Sequence, residues 1–263
     1  MVRVDKEMKN ERMLEVLIVV LIIPLVSLLA GYFISKDIVE PNISKTNDSD
    51  NFEEMVVKGI DLFEVVLGSY SDFETAKYQD DLMKMKGVYS FVSKDSDKYL
   101  LIGGIFLDRE QAALFSSSLK SQGISSEVYV KKGPSIKIAY DKKLTSEMDV
   151  FTSKLQDFQQ IFDYMSALSY KASNDKLEKQ ELEELKRKVD SFKNSKEDFE
   201  KKEVTILIQK TIEIVDKITN DIKKIEISAA LEDGNTFSLL QESLWQSCEE
   251  YNTFLKTIVM QNQ

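Results

Sequence analysis

The sequence predicts an α+β chain: a transmembrane helix, then a ferredoxin-like or RNP-like βαββαβ domain with a four-stranded antiparallel sheet, then an antiparallel helical bundle. Three observations carry this. A charge-free apolar run extends from Val16 to Ser35, an internal repeat aligns Gly68 with Gly104, and four apolar stripes at helical spacing follow Tyr140. The parts divide as a cytoplasmic N-terminus at 1–13, the spanning helix at 14–35, a linker at 36–59, a repeat domain at 60–133 and a helical domain at 141–263.

The run VLIVVLIIPLVSLLAGYFIS has the length of about 20 residues that a helix needs to cross the hydrocarbon layer. Pro24 is tolerable within such a helix, and Tyr32 and Phe33 stand where interfacial aromatics are useful. Arg3, Lys6, Lys9 and Arg12 precede the run, whereas Lys36 alone follows closely. The positive-inside rule therefore puts the N-terminus in the cytoplasm and everything beyond Lys36 outside, a single-pass protein of the cell membrane. A cleaved signal peptide is the alternative, with a cut at Ala30-Gly31. Leu28 is a poor match to the small residue such a site needs, and signal cores run only about 7–15 residues.

Ser35 to Asn51 is rich in Ser, Asn, Asp and Thr and carries Pro41, the composition of a tether. The repeat follows. At the spacing of Gly68 to Gly104, Phe63 matches Tyr99, Tyr70 matches Phe106, Asp72 matches Asp108, Ala76 matches Ala112 and Gly87 matches Gly123. In each half an apolar strand (FEVVLG, YLLIGG) leads to an Asp suited to cap a helix. A Gly suited to stop that helix comes next, and then a second strand (VYSFVS, ISSEVYV). Two β-α-β units in tandem make a four-stranded antiparallel sheet with both helices on one face. Gly133-Pro134 punctuates its end.

Beyond Tyr140 the spacing becomes helical. Leu144, Met148, Phe151, Leu155, Phe158, Phe162 and Met165 form one stripe, and Leu182, Leu185, Val189 and Phe192 a second. Ile208, Val215, Ile218, Ile222 and Ile225 form a third, and Phe237, Leu240, Leu244, Cys248, Tyr251, Leu255 and Ile258 a fourth. Turn signals at Ser173-Asn174, Asn194-Ser195 and Gly234-Asn235 separate them. The charged stretch Lys176 to Lys188 reads as a solvated helix face with favourable charge pairs.

Composition excludes whole classes of chemistry. A formal net charge of -10 argues against nucleic acid, whose phosphates need clustered Lys and Arg. The chain has no His and one Cys, which removes imidazole acid/base catalysis, Ser-His-Asp and Cys-His nucleophiles and the usual zinc ligand sets. Cys248 reads as a small apolar core residue. The expectation is no enzyme, no catalytic residues, no metal and no cofactor.

Strand alternation assigns Phe63, Val65, Leu67, Tyr99 and Leu101 to the helix-covered side of the sheet. The opposite face then carries Glu64, Val66, Leu100 and Ile102, joined from the outer strands by Tyr89, Phe91, Glu127 and Tyr129. These eight are the candidate binding residues. Apolar and aromatic groups beside one or two acids form platforms on which sugar rings stack. The other reading is that this face packs against the helical domain or a protein partner, since contiguous apolar patches are uncommon on free surfaces.

The paired segments VVLGSYSDFETA and LIGGIFLDREQA, each followed by a helix ending at Gly, resemble the two halves of a SPOR (sporulation-related repeat) domain over about residues 60–131. Val66 stands where the family often has Gln, and Ile102 and Ile105 stand where a polar residue and Pro are familiar. The resemblance implies a bacterial cell-envelope protein that binds peptidoglycan glycan strands at division or sporulation sites. The helical domain then serves as an assembly platform for an envelope protein partner, and the membrane is engaged through the N-terminal helix. The alternative is a non-enzymatic structural protein of an envelope or sporulation complex, in which the sheet face binds protein rather than glycan.

Overall fold

The computed structural model describes residues 51–194, 199–232 and 234–261. Strand β1 (Phe52–Lys58) is followed by β2 (Leu62–Tyr70), α1 (Phe73–Met85), β3 (Phe91–Asp95), β4 (Lys98–Phe106), α2 (Arg109–Ser121), β5 (Glu127–Lys131) and β6 (Ser135–Asp141). A short 3-10 turn at Lys142–Leu144 leads into α3 (Thr145–Ala172), α4 (Lys179–Asn194), α5 (Lys202–Leu231) and α6 (Thr236–Gln261).

The two repeat halves fold by the same local rules. Asp72 and Asp108 accept hydrogen bonds from the backbone N–H of Thr75 and Gln111, both at 2.8 Å, so each opens a helix by satisfying an orphan donor. Gly87 and Gly123 close the helices at φ 77° and 78°, a left-handed conformation in which a side chain is strained. The strands assemble in the order β3-β4-β2-β5, all antiparallel.

Two irregularities retune which side chains face which layer. Across β2 and β4, Val65 pairs with Gly104 and Val66 with Ile102, so Gly103 is passed over as a bulge. A Cβ on Gly103 would come within 2.9 Å of the Leu67 side chain, which would have to shift to admit it. The bulge flips the alternation, and Ile102 and Ile105 both enter the same core. On the opposite side Val65 and Phe106 pack against Ala112, Phe115 and Leu119 of α2, with Phe63 and Leu67 beside them, as alternation requires.

Helices α3, α4, α5 and α6 close a ring in which each packs on the next and α6 returns to α3, with α3 and α6 lying against β4. Their stripes merge with the sheet. Val66, Leu100, Ile102 and Ile105 share one apolar core with Phe158, Phe162, Leu185, Ile218, Leu240 and Leu244. Burial of each such side chain contributes roughly 1.5–3 kcal/mol, so the sheet–helix contact stabilises both layers.

Several expectations change. The expected fold class included a transmembrane helix at 14–35; no helix of the described residues is long and apolar enough to cross a membrane. The segments expected as cytoplasmic and spanning, 1–13 and 14–35, lie outside those residues. The class that the structure shows is α+β, with antiparallel sheets and helices. The expected linker at 36–59 ends in strand β1, and the stretch after Gly133-Pro134 is strand β6; the two pair as a second sheet. Ile136, Ile138 and Tyr140 alternate inward along β6. The described residues from Glu54 onward form one compact unit, in which the repeat and the helices share a core.

Candidate interaction face

The sheet face for which the sequence left two readings, a glycan platform or a packing surface for the helical domain, is covered by the helices. Ile102 is fully buried, and Val66, Leu100 and Glu64 are buried with it. Phe91 stacks against Trp245 of α6 with ring centroids 4.9 Å apart, and Tyr89 meets Phe237 of α6 edge-on at 5.7 Å. The aromatic platforms read from the sequence are thus taken by aromatics of α6. The physical reason is that the apolar sheet face and the apolar stripes of the helices both need burial, and they meet in one core. Only the margin on β5 stays open: Tyr129 is 50 % exposed, and its hydroxyl donates to the Glu127 carboxylate at 3.1 Å.

Polar side chains of the helices complete the contact. Ile105 N–H donates to Gln241 Oε1 at 2.6 Å, while Gln241 Nε2 donates to the Ile105 carbonyl at 2.9 Å and to Ser169 Oγ at 2.6 Å. Asn252 repeats the device at the connection between β1 and β2: it accepts from Ile60 N–H at 2.8 Å and donates to the Ile60 carbonyl at 2.9 Å. Leu107 N–H donates to Ser166 Oγ at 2.9 Å. These bonds satisfy backbone groups of Ile60, Ile105 and Leu107, and those of Ile60 and Ile105 are buried away from water.

An electrostatic cluster marks the β5 end of the same contact. Lys131 Nζ lies 2.7 Å from Glu249 of α6 and 3.8 Å from Glu64 of β2. The longer distance exceeds hydrogen-bond range, and Glu64 Oε1 is buried without a hydrogen-bond partner. Burial pushes the Glu64 carboxyl above its ordinary pKa; Lys131 opposes the shift, and Glu249 and Asp95 add to it.

Sequence reasoning missed Gln241, Asn252, Trp245, Lys131 and Glu249. A signal was present for two of them. Gln241 and Asn252 fall at the three-to-four spacing of the α6 stripe, where a polar residue inside an apolar row announces a buried hydrogen bond. Cys248 lies fully buried in that stripe, and burial raises its thiol pKa well above the ordinary value. Among the described residues no group of His, Cys, Asp or Glu is arranged to hold a metal ion.

Neither a protein-family model nor a curated protein matches the chain. Among solved structures, the solution structure of the peptidoglycan binding domain of the B. subtilis cell wall lytic enzyme CwlC is similar to part of it. The identity is 20 %, over 29 % of this chain and 96 % of that one, with a TM-score of 0.26.

Proposed function

We infer that this chain is a non-enzymatic interaction protein of the cell envelope, whose SPOR-like layer is the platform for its own helices and whose remaining surfaces meet envelope partners. One observation carries this reading: Gln241 of α6 closes both backbone hydrogen bonds of Ile105 over a fully buried sheet centre. A sugar ring on Val66, Leu100 or Ile102 would have to displace α6 and leave those groups unpaired, at about 1–3 kcal/mol each. The lack of His and the inert, buried Cys248 support a non-catalytic role.

A second reading, peptidoglycan binding, is favoured by the uncovered β5 margin, where Tyr129 offers an exposed ring beside the Glu127 carboxylate. It agrees with the SPOR-like repeat and moves the glycan contact from the sheet centre to its edge. Sedimentation of the full chain with purified sacculi tests both. Co-sedimentation that Tyr129→Ala weakens by roughly fivefold or more supports the second reading. No co-sedimentation leaves the first. Weakening by Phe91→Ala at unchanged Tm would mean that the covered face is reachable, and would overturn the first. Septal localisation of a fluorescent fusion is the readout for a division or sporulation role.

A further inference from the structure

At one end of the bundle, the turn from α3 to α4 meets the turn from α5 to α6. Between them lie two adjoining cavities of about 420 and 450 Å³ that share Leu177, Ala229 and Glu232 as walls. Leu182 and Ala230 extend the apolar lining. Around Ala230 on α5, Ile227 and Leu231 stand one helical turn apart and are 61 % and 69 % exposed. These two side chains extend the apolar character of this end of α5 outside the cavities.

The rim decides what covers it. Asp175, Glu178, Glu183, Glu226 and Glu232 line the groove, against the single cation Lys179 among the described lining residues. Of the five carboxylates only Glu226 is in an ion pair among the described residues, with Lys186 at 3.8 Å. Asp175 and Glu232 sit at φ 54° and 51°, left-handed positions where glycine would relax the backbone, so the chain places carboxylates on this rim at a local conformational cost. A second copy is a poor occupant, because it would bring a net charge of -10 and the same acidic rim to the contact.

We propose that this groove docks a cationic amphipathic helix of a partner protein, its apolar side chains seated on Leu177, Ala229 and Ala230 and its Lys and Arg residues meeting the carboxylate rim. Helix-in-groove recognition uses this combination: apolar anchors one turn apart supply contact area, and flanking charges supply orientation and rate. The proposal gives a partner chemistry to the interaction reading and rests on it, but sacculus binding and groove binding are measured separately.

The test is titration of the immobilised full chain with a synthetic Leu/Lys amphipathic peptide of roughly 14 residues, about four helical turns. The control is a peptide of equal charge with Ser replacing Leu. The groove requires that the Leu/Lys peptide bind at least about tenfold more tightly than the control, and that Ala230→Arg weaken it at least about tenfold. Glu232→Gln should weaken it by roughly threefold and lower its salt dependence. Ala230 is exposed on a helix, so the Arg variant keeps its fold, checked by unchanged far-UV circular dichroism. Equal binding of the two peptides, unaltered binding to Ala230→Arg, or no binding of the Leu/Lys peptide would each overturn the proposal.

Discussion

Gln241 and Ile105, separated by 136 residues, are joined by a two-way amide pair: Ile105 N–H to Gln241 Oε1 at 2.6 Å and Gln241 Nε2 to the Ile105 carbonyl at 2.9 Å. The side chain acts as a one-residue strand, continuing the ladder along β4 beyond Ile102, where the pairing with β3 ends. Gln241→Leu keeps the volume but leaves two buried backbone groups unpaired. Unfolding free energy in urea should fall by about 2–4 kcal/mol. A loss below about 0.5 kcal/mol would show that the pair is not holding the sheet to the helices.

Phe91 gives the complementary result. Its ring packs between Tyr89 and Trp245, so Phe91→Ala opens a partial cavity in the sheet–helix contact and should cost roughly 2–3 kcal/mol. Sacculus sedimentation, if the wild type shows it, should not change. The measurement is a paired one, thermal denaturation beside sedimentation.

Two buried carboxylates should leave opposite marks on the pH dependence of stability. Burial raises the Glu64 pKa above its ordinary 4.5, so the folded state holds that proton more tightly than the unfolded chain. The penalty is absent below the unfolded pKa and grows as pH rises through the folded one. The stability difference between wild type and Glu64→Gln should therefore move against the wild type as pH rises from about 4, then level off. For Asp80, burial pushes upward, but hydrogen bonds from Lys77, Lys84 and Ser90 outweigh it and hold the carboxyl below its ordinary value. Its stabilisation is present above the unfolded pKa and is lost as pH falls through the folded one. Asp80→Asn should thus be most costly near neutral pH, measured by urea unfolding across the range.

Because the repeat and the helices share a core, they should melt together. Trp245, the single Trp of the chain, lies at their contact and reports it directly. Its fluorescence and the far-UV signal should trace one coincident transition. Separate fragments 55–134 and 141–263 should each lack cooperative unfolding, since each exposes half of the common core. Ile218→Asp puts a carboxylate at a fully buried position of α5 and should remove the native transition, at a cost of several kcal/mol. Tryptophan fluorescence changing well ahead of helicity would show two independent units instead.

Glu232→Gly should separate stability from recognition. Relief of the left-handed strain at φ 51° should leave stability unchanged or raise it by up to about 1 kcal/mol, while the lost carboxylate weakens binding of the Leu/Lys peptide. Calorimetric melting beside the peptide titration reads both.

What the sequence by itself determined was local. Asp72 and Asp108 cap α1 and α2, Gly87 and Gly123 stop them, and the two-residue period separates Val65 from Val66, because each depends on geometry within a few residues. The helical stripes were legible for the same reason, and the lack of imidazole chemistry follows from composition alone. Strand β6 was legible in principle, since Ile136, Ile138 and Tyr140 alternate, yet the strong turn at Gly133-Pro134 reads as an end. Only the tertiary structure decided what covers the face of Val66, Leu100 and Ile102. Alternation shows that an apolar face needs burial, but hydrophobic burial is non-directional and names no partner. The seating of α6 on this face rests on long-range fit, Trp245 on Phe91 and Gln241 on Ile105, which no local pattern encodes.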